Sequence, residues 1–341
     1  MTKTAVSIVG YLLLLAAGYM LLAFLLLLAP IVGNFLSYGF DNSELRRSQQ
    51  MYYAAAPTRS IWQADAGCAV ADEVVGYTAK LGVCKFRNHE FDTELHYTAD
   101  GWRHPEDPIA DLGKLLILGD SQAMGWGVNF DENFTYLLGE RGYKVRNYAV
   151  SSHATEQQLR LAVSSPFFSE AEVILLQYCE NDLGKNKKIL ANYLEEEKRV
   201  FLSQQTDKPI SAYQKIANAA AMFMKELSLT SLLQAPVKFV AAIGLDHRLP
   251  PYSRKQTRRH KAHLLDILQK FPELEGKRVL VFYSNGSGKP FYQWGQKSGG
   301  FEFIELGLGR HHYHKIDDHL TKYGHQYIAS KIASALSQQL R

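Results

Sequence analysis

The chain is predicted to be an α/β protein with a mostly parallel sheet covered on both faces, joined to one N-terminal transmembrane helix. Two observations predict this. From Lys114 onward, short apolar strands alternate with helical segments, and that alternation is typical of a parallel sheet between two helical layers. Between Lys3 and Asp41 no residue is charged, and residues 6–28 are apolar enough to cross a bilayer as one helix.

Length and composition limit the class of protein. The 341 residues are 46% hydrophobic and 21% charged, which excludes wholesale disorder and suits one large or two modest domains. The net charge of +4 is spread along the chain, so we expect no nucleic-acid partner. We expect a membrane anchor at 1–40, a juxtamembrane region at 41–110, and a catalytic domain at 111–341 with a helical insert at about 184–271.

The N-terminal apolar segment is interpreted as a retained single-pass anchor. It is longer than a typical cleavable signal, and no small-x-small cleavage site follows it. A cleaved signal and a buried core helix are the alternatives. Lys3 favours a cytoplasmic amino terminus, but Arg46 and Arg47 follow the helix, so the charge distribution does not decide the orientation.

The cysteines bear on the compartment. Cys68 and Cys84 would close a loop worth about 3 kcal/mol if they were bonded in an oxidising compartment, and two free buried thiols are the alternative. Cys179 lies in an apolar run and is interpreted as a core residue. Together with the apolar segment, these features favour an extracytoplasmic, periplasmic-type domain tethered to a membrane.

The elements after the anchor follow from apolar periodicity and breaker residues. Pro57, Pro105 and Pro108 exclude a long helix in the region before the catalytic domain. A hairpin is expected in that region, around 89–102. Strands are expected at 115–118, 144–150, 172–178, 278–283 and 302–306. Helices are expected at 121–140, 154–164, 324–340 and through most of 183–271.

The first of these strands ends at Gly119, Asp120 and Ser121. A serine at a strand-to-helix turn presents its hydroxyl at the carboxyl edge of the sheet, beside the free N–H groups of the helix. This is a suitable position for a nucleophile. Alternatively, Asp120 or Ser121 is only a helix N-cap, because both residue types are favoured there without any chemistry.

Three further polar clusters follow strand ends or precede a helix. The loop at 151–153 follows the second strand, Asn181 follows the third, and Asp317 and His319 precede the last helix. In a doubly wound sheet such clusters converge on one crevice. The sequence therefore predicts that they meet Ser121 there.

The predicted chemistry is nucleophilic acyl transfer. His319 would accept the proton of the Ser121 hydroxyl, and Asp317 would orient the imidazole, with Asp318 as a less favoured partner. A tetrahedral intermediate needs oxyanion donors, which we expect from the N–H of Ser121, an N–H near Ser152 and the amide of Asn181.

The motifs resemble those of the SGNH, or GDSL-type, hydrolase family. They are Gly119-Asp120-Ser121, Asn181-Asp182, and Asp317-Asp318-His319 followed by Gly324-His325. The resemblance covers about 114–340 without the helical insert, and it implies a three-layer α/β/α fold and a serine esterase that needs no cofactor. This chain has Ser152 where the family usually has glycine, a change that keeps the backbone N–H.

Other residues have both a functional and an ordinary interpretation. Trp126 and His153 are possible pocket residues, although packing is the ordinary role of such a tryptophan. Lys185 follows Asp182 and is compatible with the rim of a site or with an exposed loop. The histidines at 311, 312 and 314 suggest metal ligands, but adjacent ligands point in different directions, so we favour a surface loop and expect no metal site.

Together these features predict a membrane-anchored serine ester hydrolase that removes an O-acyl group from a glycan or a lipid-linked substrate. An O-acyltransferase that works with a membrane acyl-transfer partner is the alternative, since the same residues would serve it. A catalytically silent scaffold module is the second alternative. The helical insert could cover the pocket and decide between water and another acceptor.

Overall fold

The computed structural model describes residues 11, 14–21, 61–99, 101–103, 112–189, 253–284 and 297–337. The chain forms two compact units. The larger consists of Ser60–Lys208, Arg248–His314 and Asp318–Arg341. The smaller consists of Met1–Arg59, Pro209–His247 and Lys315–Asp317, and its described residues at 14–21 are helical. The sheets and the helices named below belong to the larger unit.

The regular elements are numbered in chain order. The strands are β1 (Ala69–Asp72), β2 (Gly76–Ala79), β3 (Gly82–Arg87), β4 (Asp92–Tyr97), β5 (Trp102–Arg103), β6 (Lys114–Leu118), β7 (Lys144–Asn147), β8 (Val173–Tyr178), β9 (Arg278–Tyr283), β10 (Lys297–Ser298) and β11 (Phe301–Ile304). The helices are α1 (Ser121–Met124), α2 (Phe134–Gly139), α3 (Thr155–Val163), α4 (Phe167–Glu170), α5 (Asp182–Ile189), α6 (Arg254–Leu268) and α7 (Lys322–Ser337).

The main sheet has the strand order β10-β11-β9-β8-β6-β7-β5. The five central strands are parallel, and the short edge strands β10 and β5 are antiparallel to their neighbours. This confirms the predicted α/β class with a mostly parallel sheet. Four of the five expected strands lie within two residues of their predicted ends, and the fifth, expected at 144–150, ends at Asn147.

Helices cover both faces of this sheet because alternate residues of each strand point to opposite sides. Leu115 and Ile117 of β6 belong to one core cluster, together with residues of α2 and α7. Leu116 and Leu118 belong to the other, together with residues of α3, α4 and α6. The arrangement is therefore compatible with three layers.

Strand β6 lies at the point where the connections change direction. It pairs with β7 on one side and with β8 on the other, so the chain leaves β6 for one neighbour and later returns to the opposite side. In doubly wound sheets the crevice at such a point, beyond the carboxyl ends of the strands, is the usual ligand site. Ser121 lies three residues after the end of β6.

Two antiparallel hairpins precede the main sheet. Strands β1 and β2 form one, and β3 and β4 form the other, which begins earlier than the hairpin expected at 89–102. Cys68 and Cys84 are bonded, which decides between the two interpretations of this pair. The bond closes a loop over a separation of 16 residues, and such a closure stabilises a fold by about 3 kcal/mol.

The single helix expected at 121–140 is wrong. Helix α1 ends at Met124, and α2 begins only at Phe134. Gly125 has a left-handed backbone with φ 96°, and a Cβ added there would lie 2.3 Å from the side-chain nitrogen of Asn133. A glycine in this conformation terminates a helix, and Asn133 then caps α2 by accepting a hydrogen bond from the N–H of Thr135.

Most of the predicted anchor and of the helical insert lies outside the described residues. Among the residues that are described, no helix is both long and apolar enough to span a membrane. The described ends of the predicted insert are helical, as α5 and α6. The transmembrane helix and the role of the insert as a cover therefore stay predictions.

Candidate active site

Ser121 occupies a tight turn from β6 into α1. Gly119 permits this turn, because a Cβ there would lie 2.5 Å from the side-chain oxygen of Gln177. That same oxygen accepts a hydrogen bond of 2.9 Å from the N–H of Asp120. Asp120 is the N-cap of α1, since its carboxylate accepts the N–H of Gln122 at 3.0 Å. The capping role thus falls to Asp120, and the hydroxyl of Ser121 is left for another partner.

That partner is His319. Its Nε2 lies 2.7 Å from Oγ of Ser121, although the two residues are 198 positions apart in the chain. Both side chains are buried. The indole of Trp126 stacks on the imidazole, with ring centroids 4.7 Å apart and planes inclined by 16°. The predicted nucleophile and base are therefore within hydrogen-bonding distance, and Trp126 contacts the base.

Two carboxylates precede the histidine. Nδ1 of His319 lies 3.7 Å from Oδ1 of Asp318, which is too long for a hydrogen bond, and the Asp318 side chain is 55% exposed. Asp317 is 2% exposed. A buried carboxylate is costly unless it is paired and hydrogen-bonded. Asp317 therefore stays the predicted partner of the imidazole, and Asp318 the less favoured one.

Gln122 is a functional candidate that the sequence analysis missed. Its Nε2 donates to the carbonyl of Asp318 at 2.9 Å, and its Oε1 accepts the N–H of Leu320 at 3.3 Å. The side chain thus holds the backbone on both sides of His319. A glutamine after a serine has no single structural role, so the sequence alone does not indicate that Gln122 holds the backbone around His319.

The three predicted oxyanion donors have hydrogens available. Among the described residues, the N–H groups of Ser121 and Ser152 have no hydrogen-bond acceptor in the protein. Asn181 donates from Nδ2 to Oδ2 of Asp120 at 3.2 Å, a bond that uses only one of its two amide hydrogens. The bond also joins the loop after β8 to the turn that carries the serine.

Ser152 has an unusual backbone. With φ 65°, it is the one non-glycine residue of the described chain that is recorded with a positive φ. A left-handed conformation costs an ordinary L-residue about 1 kcal/mol, and this explains why a glycine would be expected at this position. The neighbouring His153 is completely buried and bonds through Nε2 to the carbonyl of Tyr77 at 2.8 Å. Burial lowers the pKa of His153 to about 4.

The first residue of α5, Asp182, is another buried carboxylate. Asp182 accepts the N–H of Cys179 at 3.0 Å. Burial, followed by the nearby charge of Asp120, raises the pKa of Asp182 well above its usual value. Burial also raises the pKa of the Cys179 thiol, which agrees with its interpretation as a core residue rather than a reactive thiol.

No known protein family matches the chain, and none of the curated proteins is similar to it. Within the described residues, a group of side chains that could hold a metal ion is Asp317, Asp318 and His319. Nε2 of His319 already makes a hydrogen bond with Oγ of Ser121. Among the residues that the structure describes, the histidines at 311, 312 and 314 are not part of such a group.

The bridge made by Gln122 leads to a testable prediction. In Gln122→Ala the hydrogen bonds to the carbonyl of Asp318 and to the N–H of Leu320 are both lost, so the imidazole of His319 is held less firmly over Ser121. For the ester hydrolysis that the sequence predicts, we expect kcat to fall about 100-fold with KM nearly unchanged, because small errors in the position of a catalytic group are costly. Glutamate in Gln122→Glu can still accept a hydrogen bond from the N–H of Leu320 but cannot donate one to the carbonyl of Asp318. Its kcat should therefore lie between those of the wild type and Gln122→Ala. Equal kcat values in all three proteins would show that the bridge is irrelevant.

His325 provides a prediction on pH and stability. It is completely buried, and burial, with smaller contributions from His314 and His319, lowers its pKa to about 3. In the unfolded chain His325 has a pKa near 6.5, so between pH 3 and pH 6.5 the unfolded state binds more protons at this residue than the folded state does. The contribution of His325 to stability therefore falls as the pH drops below 6.5. Between pH 7 and pH 5 the stability advantage of the wild type over His325→Gln should shrink by about 2 kcal/mol. Urea unfolding at both pH values measures this difference, and an unchanged advantage would contradict it.

Proposed function

We propose that the protein is a serine ester hydrolase that removes O-acyl groups through an acyl-serine intermediate. The observation that carries the proposal is the 2.7 Å contact between Nε2 of His319 and Oγ of Ser121, at the carboxyl edge of a parallel sheet. A serine hydroxyl is a weak nucleophile until a base accepts its proton, and this geometry supplies the base. The resemblance of the sequence motifs to those of SGNH hydrolases supports the same reaction.

In the proposed mechanism, His319 accepts the hydroxyl proton as Oγ of Ser121 attacks the ester carbonyl carbon. Asp317 stabilises the imidazolium that forms. The negative charge on the tetrahedral intermediate is bound by the N–H groups of Ser121 and Ser152 and by the spare amide hydrogen of Asn181. His319 then returns the proton to the leaving alcohol. In the second half, a water molecule loses a proton to His319 and attacks the acyl carbon. The bond between that carbon and Oγ of Ser121 then breaks, the carboxylic acid is released, and His319 returns the proton to Oγ.

The proposed substrate is an O-acylated glycan or a lipid-linked acyl compound outside the cytoplasm. The apolar segment at 6–28 supports a membrane tether, and the Cys68–Cys84 bond supports an oxidising compartment. The aromatic face of Trp126 is stacked on His319 and is an apolar surface that an acyl chain could contact.

One observation favours an O-acyltransferase as the second candidate. Ser121 is only 9% exposed and His319 only 7% exposed, so bulk water has limited access to the nucleophile. A site with little water suits transfer of the acyl group to a bound sugar hydroxyl. A silent scaffold, in contrast, has no use for a serine hydroxyl held by a histidine, and the site offers no support for it beyond the serine at position 152.

The test is covalent labelling with a fluorophosphonate, followed by mass spectrometry to locate the modified residue. We expect one label, on Ser121, in the folded protein and none after denaturation in urea. A folded protein that takes up no label would support the scaffold. Incubation with an acetylated glycan then separates the two activities, because hydrolysis releases free acetate and transfer produces an acetylated acceptor.

A further inference from the structure

The loop that carries Ser152 is held from two sides by residues of other elements. Nε2 of Gln63 donates to Oγ of Ser152 at 3.0 Å, and the ammonium group of Lys185 in α5 donates to the carbonyl oxygen of Ser152. The two bonds fix both the side chain and the carbonyl of a residue whose backbone is left-handed.

Gln63 is itself well anchored. It lies in a short 3-10 turn, Trp62–Ala64, before the first hairpin. Trp62 is completely buried and packs edge-on against the ring of Tyr97, with centroids 6.0 Å apart. The Oε1 atom of Gln63 also accepts the hydroxyl of Ser151 at 3.4 Å. The amide therefore has a defined orientation, with its nitrogen toward Ser152.

The same region contacts the loop at other points. The hydroxyl of Tyr77 in β2 donates to the carbonyl of Ser151 at 2.9 Å, and Gln157 donates to the carbonyl of Val75 at 2.8 Å. These contacts come from residues 61–97, which precede the stretch that resembles a hydrolase. The N-terminal hairpins are thus in contact with the second polar cluster of the site.

We propose that Gln63 is a positioning residue of the oxyanion hole, and that Lys185 assists it. A glycine adopts the left-handed conformation at little cost, whereas a serine needs other contacts to stay in it. Gln63 and Lys185 supply those contacts, and they keep the Ser152 N–H directed at the oxyanion. This inference rests on the proposed hydrolysis, because an N–H that binds no oxyanion would need no such support.

The test is a double-mutant cycle on kcat with p-nitrophenyl acetate as the probe ester. Gln63→Ala should lower kcat about tenfold with KM nearly unchanged, because the ground-state ester makes little use of the oxyanion donors. In the Ser152→Gly background the Oγ partner is absent and the backbone needs no support, so Gln63→Ala should have no further effect there. Gln63→Met keeps the approximate size but removes both the donor and the acceptor, and it should resemble Gln63→Ala.

Controls separate positioning from folding. Gln256→Ala replaces an exposed glutamine in the first turn of α6 and should leave kcat unchanged. Thermal melting of each variant checks the fold. The inference fails if Gln63→Ala leaves kcat unchanged, or if it lowers kcat by the same factor with glycine at position 152. A wild-type protein that neither hydrolyses the ester nor takes up a fluorophosphonate overturns the proposed function as well.

Discussion

Ser121→Ala is expected to lower kcat for ester hydrolysis by about six orders of magnitude, as in other enzymes that lose the nucleophile of a serine–histidine pair. His319→Ala should cost about as much. The reason is that Oγ and Nε2, 2.7 Å apart, act as one unit: the serine cannot attack without the base, and the base has no proton to take without the serine.

The double variant Ser121→Ala/His319→Ala provides the decisive comparison. If the two groups form one unit, it should be no slower than either single variant. Additive losses would show that the residues act separately and would contradict the proposed mechanism. The measurement is the hydrolysis rate of a chromogenic ester, with melting temperature as the control for folding. Loss of fluorophosphonate labelling in the single variant Ser121→Ala would assign the nucleophile.

Asp317→Asn is expected to lower kcat by about four orders of magnitude, whereas Asp318→Asn should change it less than tenfold. An asparagine in place of the orienting carboxylate leaves the shape intact but favours the wrong imidazole tautomer and does not stabilise the imidazolium. Asp317 is buried, while the more exposed Asp318 lies too far from Nδ1 of His319 for a hydrogen bond.

The two substitutions are a matched pair, because they make the same chemical change at adjacent positions. The ratio of their kcat values therefore reports which carboxylate serves His319. Equal losses would show that the carboxylates share the role, and a larger loss in Asp318→Asn would reverse the assignment. Measuring kcat from pH 5 to pH 9 adds a second readout, since loss of the orienting carboxylate changes the pH at which the base becomes active.

Much of the main sheet could be predicted from the sequence because its strands are short apolar runs bounded by polar turns. The position of Ser121 followed from the same reasoning, since a serine between an apolar strand and a helix lies at the sheet edge whatever the rest of the chain does. His319 could be predicted to lie near it because polar residues that follow strands or precede helices converge in this class of fold.

The parts that could not be predicted depend on long-range contacts. Gln122 bridges the backbone around His319, and Gln63 bonds to Ser152, but neither residue type indicates such a use on its own. The expected helix at 121–140 was wrong because Gly125, with its left-handed backbone, stops α1 after one turn, and a side chain at this position would approach Asn133 too closely. Local periodicity contains no information about that approach.

The separation of 198 residues between Ser121 and His319 affects when the protein can become reactive during synthesis. During translation Ser121 is synthesised well before His319, and the first strands of the sheet are synthesised before it as well. Until the segment that carries His319 has emerged and folded, the serine hydroxyl lacks this proton acceptor. A nascent chain with this architecture is therefore chemically inert toward the esters that the finished protein is proposed to cleave.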